Sequence, residues 1–174
     1  KKELQADTCI VCDTGMWDPE TPAITSRLRG LVYIEATLHG PSHDLHSGSY
    51  GGAVVNPANA LTAILGQLHD SEGKVQIDGF YDDVEIVSTE QIAQWNALGD
   101  ADALTLESSG AKVTFGEKGY STLERLWSRP TCDINGLRAG YIGEGAKTVI
   151  GATATAKISC RLVAHQKPEE IQKA

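Results

Sequence analysis

The stretch Arg29 to His39 (Arg-Gly-Leu-Val-Tyr-Ile-Glu-Ala-Thr-Leu-His) constrains the fold more than any other. Its period-2 alternation over a β-branched run reads as one long strand. Gly40-Pro41 ends that strand, and Asp44-Leu45-His46-Ser47-Gly48-Ser49-Tyr50-Gly51-Gly52 follows at its exit. The glycines Gly48, Gly51 and Gly52 permit a tight loop that a ligand can approach closely. His46 can donate a hydrogen bond to a substrate oxygen near neutral pH. Spacing alone also fits a surface loop with a solvated histidine.

Two further runs, Thr131 to Ala139 and Thr153 to Val163, are strand-like. In the last, alternation puts Lys157, Ser159 and Arg161 on one face and Ile158, Cys160 and Leu162 on the other. Arg161 is then either an exposed residue on the open face of a sheet or a fork for a substrate carboxylate. Asn56 and Pro57 supply an N-cap and a first helical residue. Ala60, Leu61, Ile64, Leu65 and Leu68 form the apolar face of that helix, and Gly73 closes the region. Pro168 opens a final helix. Strand, helix, strand, strand, helix is the order of an α+β, ferredoxin-like split βαβ sandwich lacking its last strand, an antiparallel sheet with helices on one face. Residues 74–129 read as an inserted segment. It holds a strand over Lys74 to Phe80, a helix over Thr89 to Leu98 capped by Thr89, and a short helix over Ser121 to Trp127.

At the N-terminal end, Thr8 to Cys12 reads as a short apolar strand ending at Asp13, a position that suits a metal ligand, a catalytic acid or a turn cap. Thr14 to Ala23, with Gly15, Pro19 and Pro22, reads as an irregular link. Residues 1–24 are thus expected to be an end piece and linker, and 25–174 the domain proper. Lys1 to Asp7 contain no initiator Met or signal-type apolar segment, and the helix from Pro168 has barely begun at Ala174. Both ends read as cut from a longer chain.

A net charge of -8 and a pI near 5.0 argue against nucleic-acid binding, which needs a basic face. No apolar run reaches membrane-spanning length. Cys9-Ile10-Val11-Cys12 has redox-motif spacing, but the intervening Ile and Val favour a strand over the helix start that activates such thiols. Reduced, structural cysteines are expected. His39, His43 and His46 invite a zinc reading, yet Gly40 and Pro41 break the helix that would align them. Gly143-Glu144-Gly145-Ala146-Lys147-Thr148 lacks the glycine spacing of a phosphate loop, and Val149 to Thr153 continue as a strand. Asp82, Asp83 and Glu85 lack calcium-loop spacing and read as a solvated face.

Four segments carry a resemblance: Asp-Leu-His-Ser-Gly-x-Tyr-Gly-Gly at 44–52, Arg-Pro-Thr-Cys-Asp-Ile-Asn-Gly at 129–136, Gly-Glu-Gly-Ala-Lys-Thr-Val-Ile at 143–150 and Ser-x-Arg-Leu-Val at 159–163. Together they resemble the M20 metallopeptidases, in the branch of carnosinase-like dipeptidases. The resemblance implies a two-domain enzyme that hydrolyses short peptides. A catalytic domain holds two divalent metal ions, usually zinc, with Mn or Co as alternatives. A lid or dimerisation domain joins two copies into a homodimer, and this chain resembles that lid. Asp13 falls where the family has a metal-binding carboxylate. The other ligands and the general-base glutamate have no counterpart here, so the fragment is expected to be inactive and to hold no metal stably.

By position, His46 resembles the lid histidine that polarises the scissile carbonyl and stabilises the oxyanion. Thr148 resembles a lid residue that hydrogen-bonds the substrate. Arg161 resembles the arginine that holds the substrate's free C-terminal carboxylate. Gly151 departs from the proline that close relatives tend to carry. A cytoplasmic location is expected, with neither nucleic acid nor membrane as partner. Two alternatives stay open: an amidohydrolase of the same family acting on acylated amino acids, and a non-catalytic ferredoxin-like oligomerisation module.

Overall fold

The three alternating runs pair with one another in a single antiparallel sheet. The computed structural model describes residues 3, 5–10 and 15–174. In chain order the elements are β1 (Gly30–His39), β2 (Leu45–His46), α1 (Ser47–Tyr50), α2 (Pro57–Leu65), α3 (Thr89–Asn96), α4 (Ala101–Ser109), α5 (Thr122–Trp127), β3 (Thr131–Ala139), β4 (Val149–Ile150), β5 (Thr153–Leu162) and α6 (Pro168–Ile171). The main sheet has the order β1-β5-β3, and β2 pairs with β4 in a separate two-stranded ribbon. Leu31 lies opposite Arg161 and Ile34 opposite Ile158 on one side of β5. On the other side Thr131 lies opposite Arg161 and Cys132 opposite Cys160, with a bulge between Ile134 and Gly136.

One face of this sheet is covered. Val32, Cys132, Cys160 and Leu162 pack with Val75, Phe80 and Ile171, the last brought in by α6. Beside them Leu61 and Leu65 of α2 pack on Ala154 and Ala156. The small alanine side chains on β5 leave room for the helix to approach the strand. Leu68 and Ile158 touch both clusters and join them into one core. The expected division of β5 holds: Cys160 and Leu162 are buried, whereas Lys157 and Arg161 are exposed. A hydrogen bond with Cys160, and after it burial, push the Cys132 thiol up, away from the reactive thiolate form.

The helices were legible from their caps, with corrections. Asn56 caps α2 by accepting from the Ala58 N–H at 2.9 Å. That helix ends at Leu65, and Ile64 is 50% exposed rather than on the buried face. Lys74 to Phe80 is not a strand. The Asp70 carboxylate accepts from the Glu72 and Lys74 N–H groups and curls the chain, leaving one isolated bridge between His69 and Val75. Val75 and Phe80 are nevertheless buried. Helix α3 is capped by Ser88, one residue before the expected Thr89, and ends at Asn96. Helix α4 was not anticipated; Asp100 caps its start and Gly110 ends it at a φ of 69°. Helix α5 starts at Thr122, one residue after the expected Ser121, which is instead its N-cap and forms a reciprocal capping box with Glu124.

Arg129, two residues before β3, holds segment 74–129 together at its junction with the sheet. Its guanidinium donates to both oxygens of Glu117 at 2.7 Å and lies over the rings of Tyr120 and Tyr81, 4.2 and 4.9 Å from their centroids. Burial opposes that charge, but Glu117 more than offsets it and holds Arg129 above its ordinary pKa. All three tryptophans form a second fastening. Trp17 and Trp95 both meet Trp127 edge-on at about 5.5 Å, and the Trp17 indole donates to the Leu98 carbonyl. This pins the N-terminal link against α3 and α5. Residues 8–10 form no strand, and Ile10 is 81% exposed because nothing in the described chain covers it. Cys12 and Asp13 lie outside the described residues. Among the described residues, no helix is long and apolar enough to cross a membrane.

Candidate functional site

His46 closes β2 and is the N-cap of α1. Its Nδ1 accepts a hydrogen bond from the Gly48 N–H at 3.0 Å. A ring nitrogen that accepts carries no proton, so the neutral imidazole here is the tautomer with its proton on Nε2. Nε2 is 3.2 Å from the Thr148 hydroxyl, to which it can therefore donate. Both residues are exposed. An imidazole in this tautomer offers a hydrogen-bond donor to an incoming oxygen without needing to be protonated.

The glycines explain how that geometry is reached. A Cβ on Gly48 would stand 2.6 Å from His46 Cε1, and one on Gly51 would stand 2.5 Å from the Ser47 carbonyl oxygen. The motif therefore leaves space for its own imidazole to fold back over the loop. Thr148 is brought in by the second glycine loop. His46 pairs with Val149 across the ribbon, and the Ser47 N–H donates to the Thr148 carbonyl at 3.1 Å. The Asp44 carboxylate accepts from the Ala152 N–H, and the Gly40 N–H donates to the Ala152 carbonyl. Asp44 thus clamps the two loops together, a role that its place in the motif did not reveal. In the second loop the Tyr141 hydroxyl donates to the Glu144 carbonyl, and a Cβ on Gly143 would collide with that hydroxyl.

Arg161 lies elsewhere. It is on the open face of β5, near the end remote from the two loops, between Leu31 and Thr131. It is eight residue steps from Thr153, where β5 leaves the loops, so the strand between them spans about 26 Å. The structure therefore brings His46 and Thr148 together and keeps Arg161 apart. Arg29, to which sequence reasoning gave no role, is next to Arg161. Its position two residues before Leu31, on the same strand parity, was the available signal. Among the described residues no group of three or more His, Cys, Asp or Glu is placed to hold a metal ion.

Comparison with known proteins gives a consistent answer. The family model described as "Peptidase dimerisation domain" (M20 dimer) matches residues 27–174. The chain is 32% identical over 169 residues to the Cys-Gly metallodipeptidase dug1 of Schizosaccharomyces pombe, covering 97% of this chain and 36% of that protein. It is 33% identical over 166 residues to human Beta-Ala-His dipeptidase, covering 94% and 32%. Among solved structures, the di-peptidase Dug1p from Saccharomyces cerevisiae superposes with a TM-score of 0.74 at 34% identity, covering 84% of this chain and 30% of that one. The M20 family metallo-carboxypeptidase Sso-CP2 from Sulfolobus solfataricus gives 0.72 at 34% identity, covering 84% and 33%. The chain spans about a third of the length of the relatives that it matches. With the mixed α/β architecture and the two glycine loops, these matches show that the chain belongs to the dimerisation-domain family of the M20 peptidases.

Proposed function

We propose that this chain is the lid and dimerisation domain of a metal-dependent dipeptidase. The observation that carries this reading is the His46 tautomer: with Nδ1 accepting from the Gly48 N–H, the Nε2–H of this exposed residue, now beside the Thr148 hydroxyl, is a ready donor for a carbonyl oxygen. As a peptide carbonyl becomes a tetrahedral oxyanion, that hydrogen bond strengthens, and the transition state is favoured over the ground state. Thr148, freed when His46 turns to the substrate, offers its hydroxyl to the same group. Arg161 takes the free carboxylate of the substrate through its planar fork.

The two ends of the sheet cannot serve one substrate within one chain. An extended dipeptide spans at most about 7 Å, far short of the strand between Arg161 and the loops. We therefore assign Arg161 to the active site of its own subunit and the His46–Thr148 pair to that of its partner in a homodimer. The order β1-β5-β3 supports a ferredoxin-like split βαβ reading, with β1, β5 and β3 as its first, third and second strands. The described residues do not by themselves fit a metal pair. Two divalent ions, zinc or else Mn or Co, belong in this reading to the remainder of the parent, with Asp13 as one ligand. A cytoplasmic location belongs to the same proposal.

The test is hydrolysis of a dipeptide panel by the full-length parent. Loss of one oxyanion donor in His46→Ala should lower kcat by roughly 100- to 1,000-fold with the fold intact. Mixing inactive His46→Ala and Arg161→Ala subunits should restore up to about a quarter of wild-type activity, because each mixed dimer regains one complete site. No recovery on mixing would mean that His46 and Arg161 of the same chain serve one site. Turnover of acyl-amino acids alone would favour the amidohydrolase, and an inert parent would favour an oligomerisation module.

A further inference from the structure

The open face of the sheet carries an unneutralised positive charge at its Arg161 end. Gly30 pairs with Leu162 and Leu31 with Arg161, so Arg29 falls on the same face as Leu31, diagonal to Arg161. Nη1 of Arg29 is fully buried and has no hydrogen-bond partner among the described residues. A buried guanidinium nitrogen without an acceptor is costly, and folding normally supplies one. Burial, and after it the charge of Arg161, push the Arg29 pKa down, while Asp133 opposes them. Asp133 is itself occupied, accepting from the Thr131 hydroxyl at 3.1 Å.

Neighbouring cations are matched. Arg27 pairs with Glu85, Lys157 with Glu35 and Arg129 with Glu117, whereas neither Arg29 nor Arg161 has an ion-pair partner among the described residues. Two guanidinium groups and one carboxylate leave a surplus of one positive charge. A monoanion neutralises that surplus; a phosphate dianion overshoots it beside Asp133.

We propose that Arg29 and Arg161 together form a two-guanidinium site for the free carboxylate of a short peptide, the Arg29 guanidinium turning so that the Nη1 that lacks an acceptor reaches the ligand. This deepens the role proposed for Arg161 and rests on it. A carboxylate has about four lone-pair sites, so it can accept from both forks at once. Asp133 limits the pocket to singly charged ligands.

The experiment compares a dipeptide with its C-terminal amide as substrates of the full-length parent. Arg29→Gln should raise KM for the free acid by roughly 10- to 100-fold, with little change in kcat and none for the amide. Arg29→Lys, which keeps the charge, should recover part of the loss. Asp133→Asn should act in the opposite direction and lower KM for the free acid, a result that general damage to the fold does not produce. If Arg161→Gln abolishes preference for the acid while Arg29→Gln affects acid and amide alike, the pocket is Arg161 alone and the inference about Arg29 fails. Should Arg161→Gln also leave the acid preference intact, the carboxylate role of this whole end of the sheet fails with it. Competitive inhibition by sulfate, a dianion at neutral pH, as strong as that by acetate would overturn the monoanion assignment.

Discussion

Arg129 and Arg29 are both partly buried guanidinium groups, and each adjoins the end of a strand of the same sheet. Arg129 is saturated. Glu117 binds it with two charge-assisted hydrogen bonds, and two tyrosine rings cover its faces. Arg29 has a buried nitrogen with no acceptor and another arginine for a neighbour. The first arrangement completes itself within the fold and can add nothing to binding. The second is incomplete: it lacks a hydrogen-bond acceptor, and the one proposed for it is a carboxylate. A cation that the fold neutralises contributes to stability, whereas one left unneutralised is available to a ligand.

The comparison is broken most severely at the saturated site. Arg129→Ala leaves Glu117 buried without its partner, and losses of about 3–5 kcal/mol are typical for such a pair. Urea unfolding should show that loss, with the anchor of segment 74–129 failing first, while kcat of the folded fraction stays near wild type. A fall in kcat without a fall in stability would remove the distinction between the two arginines. The His46 loop offers a sharper contrast. Gly48→Ala puts a methyl group 2.6 Å from His46 Cε1 and evicts the imidazole from its bond to the backbone. Displacing the donor by about 1 Å should cost roughly 100-fold in kcat, with little change in urea midpoint because the loop is exposed.

The sheet was legible because alternation is a local signal that the sheet confirms residue by residue. Thr131 to Ala139 forms a strand over that whole range, and the face assigned to Arg161 is the face observed. Segment 74–129 was less legible for the opposite reason. Val75 and Phe80 are apolar and buried, but the turn built on the Asp70 side chain, not pairing with a strand, places them there. At the site, the place of His46 in a glycine-rich loop could be read from sequence, but its tautomer could not. That depends on where the Gly48 N–H points, and only the loop conformation sets it. Arg29 shows a different limit. Its neighbours Arg161 and Asp133 lie more than a hundred residues away and meet it only through the register of three strands.

The smallest effect tests the comparison most directly, because its sign is opposite to that at Arg129. Arg29→Gln removes one of two like charges and leaves a neutral amide in place of the cation. In the absence of ligand it should not destabilise the protein. Relief of the repulsion from Arg161 favours the variant, and loss of the attraction to Asp133 partly offsets that gain. A change in Tm of no more than about 2 °C, in the upward direction, is expected for a difference of this size. The rise should be greater at low salt, where like-charge repulsion is least screened. A dipeptide should then stabilise the wild-type parent more than the Arg29→Gln variant, since ligand that binds only the folded state raises Tm according to its affinity. If instead the unliganded variant lost as much stability as Arg129→Ala, Arg29 would be a second structural arginine whose acceptor lies elsewhere in the parent.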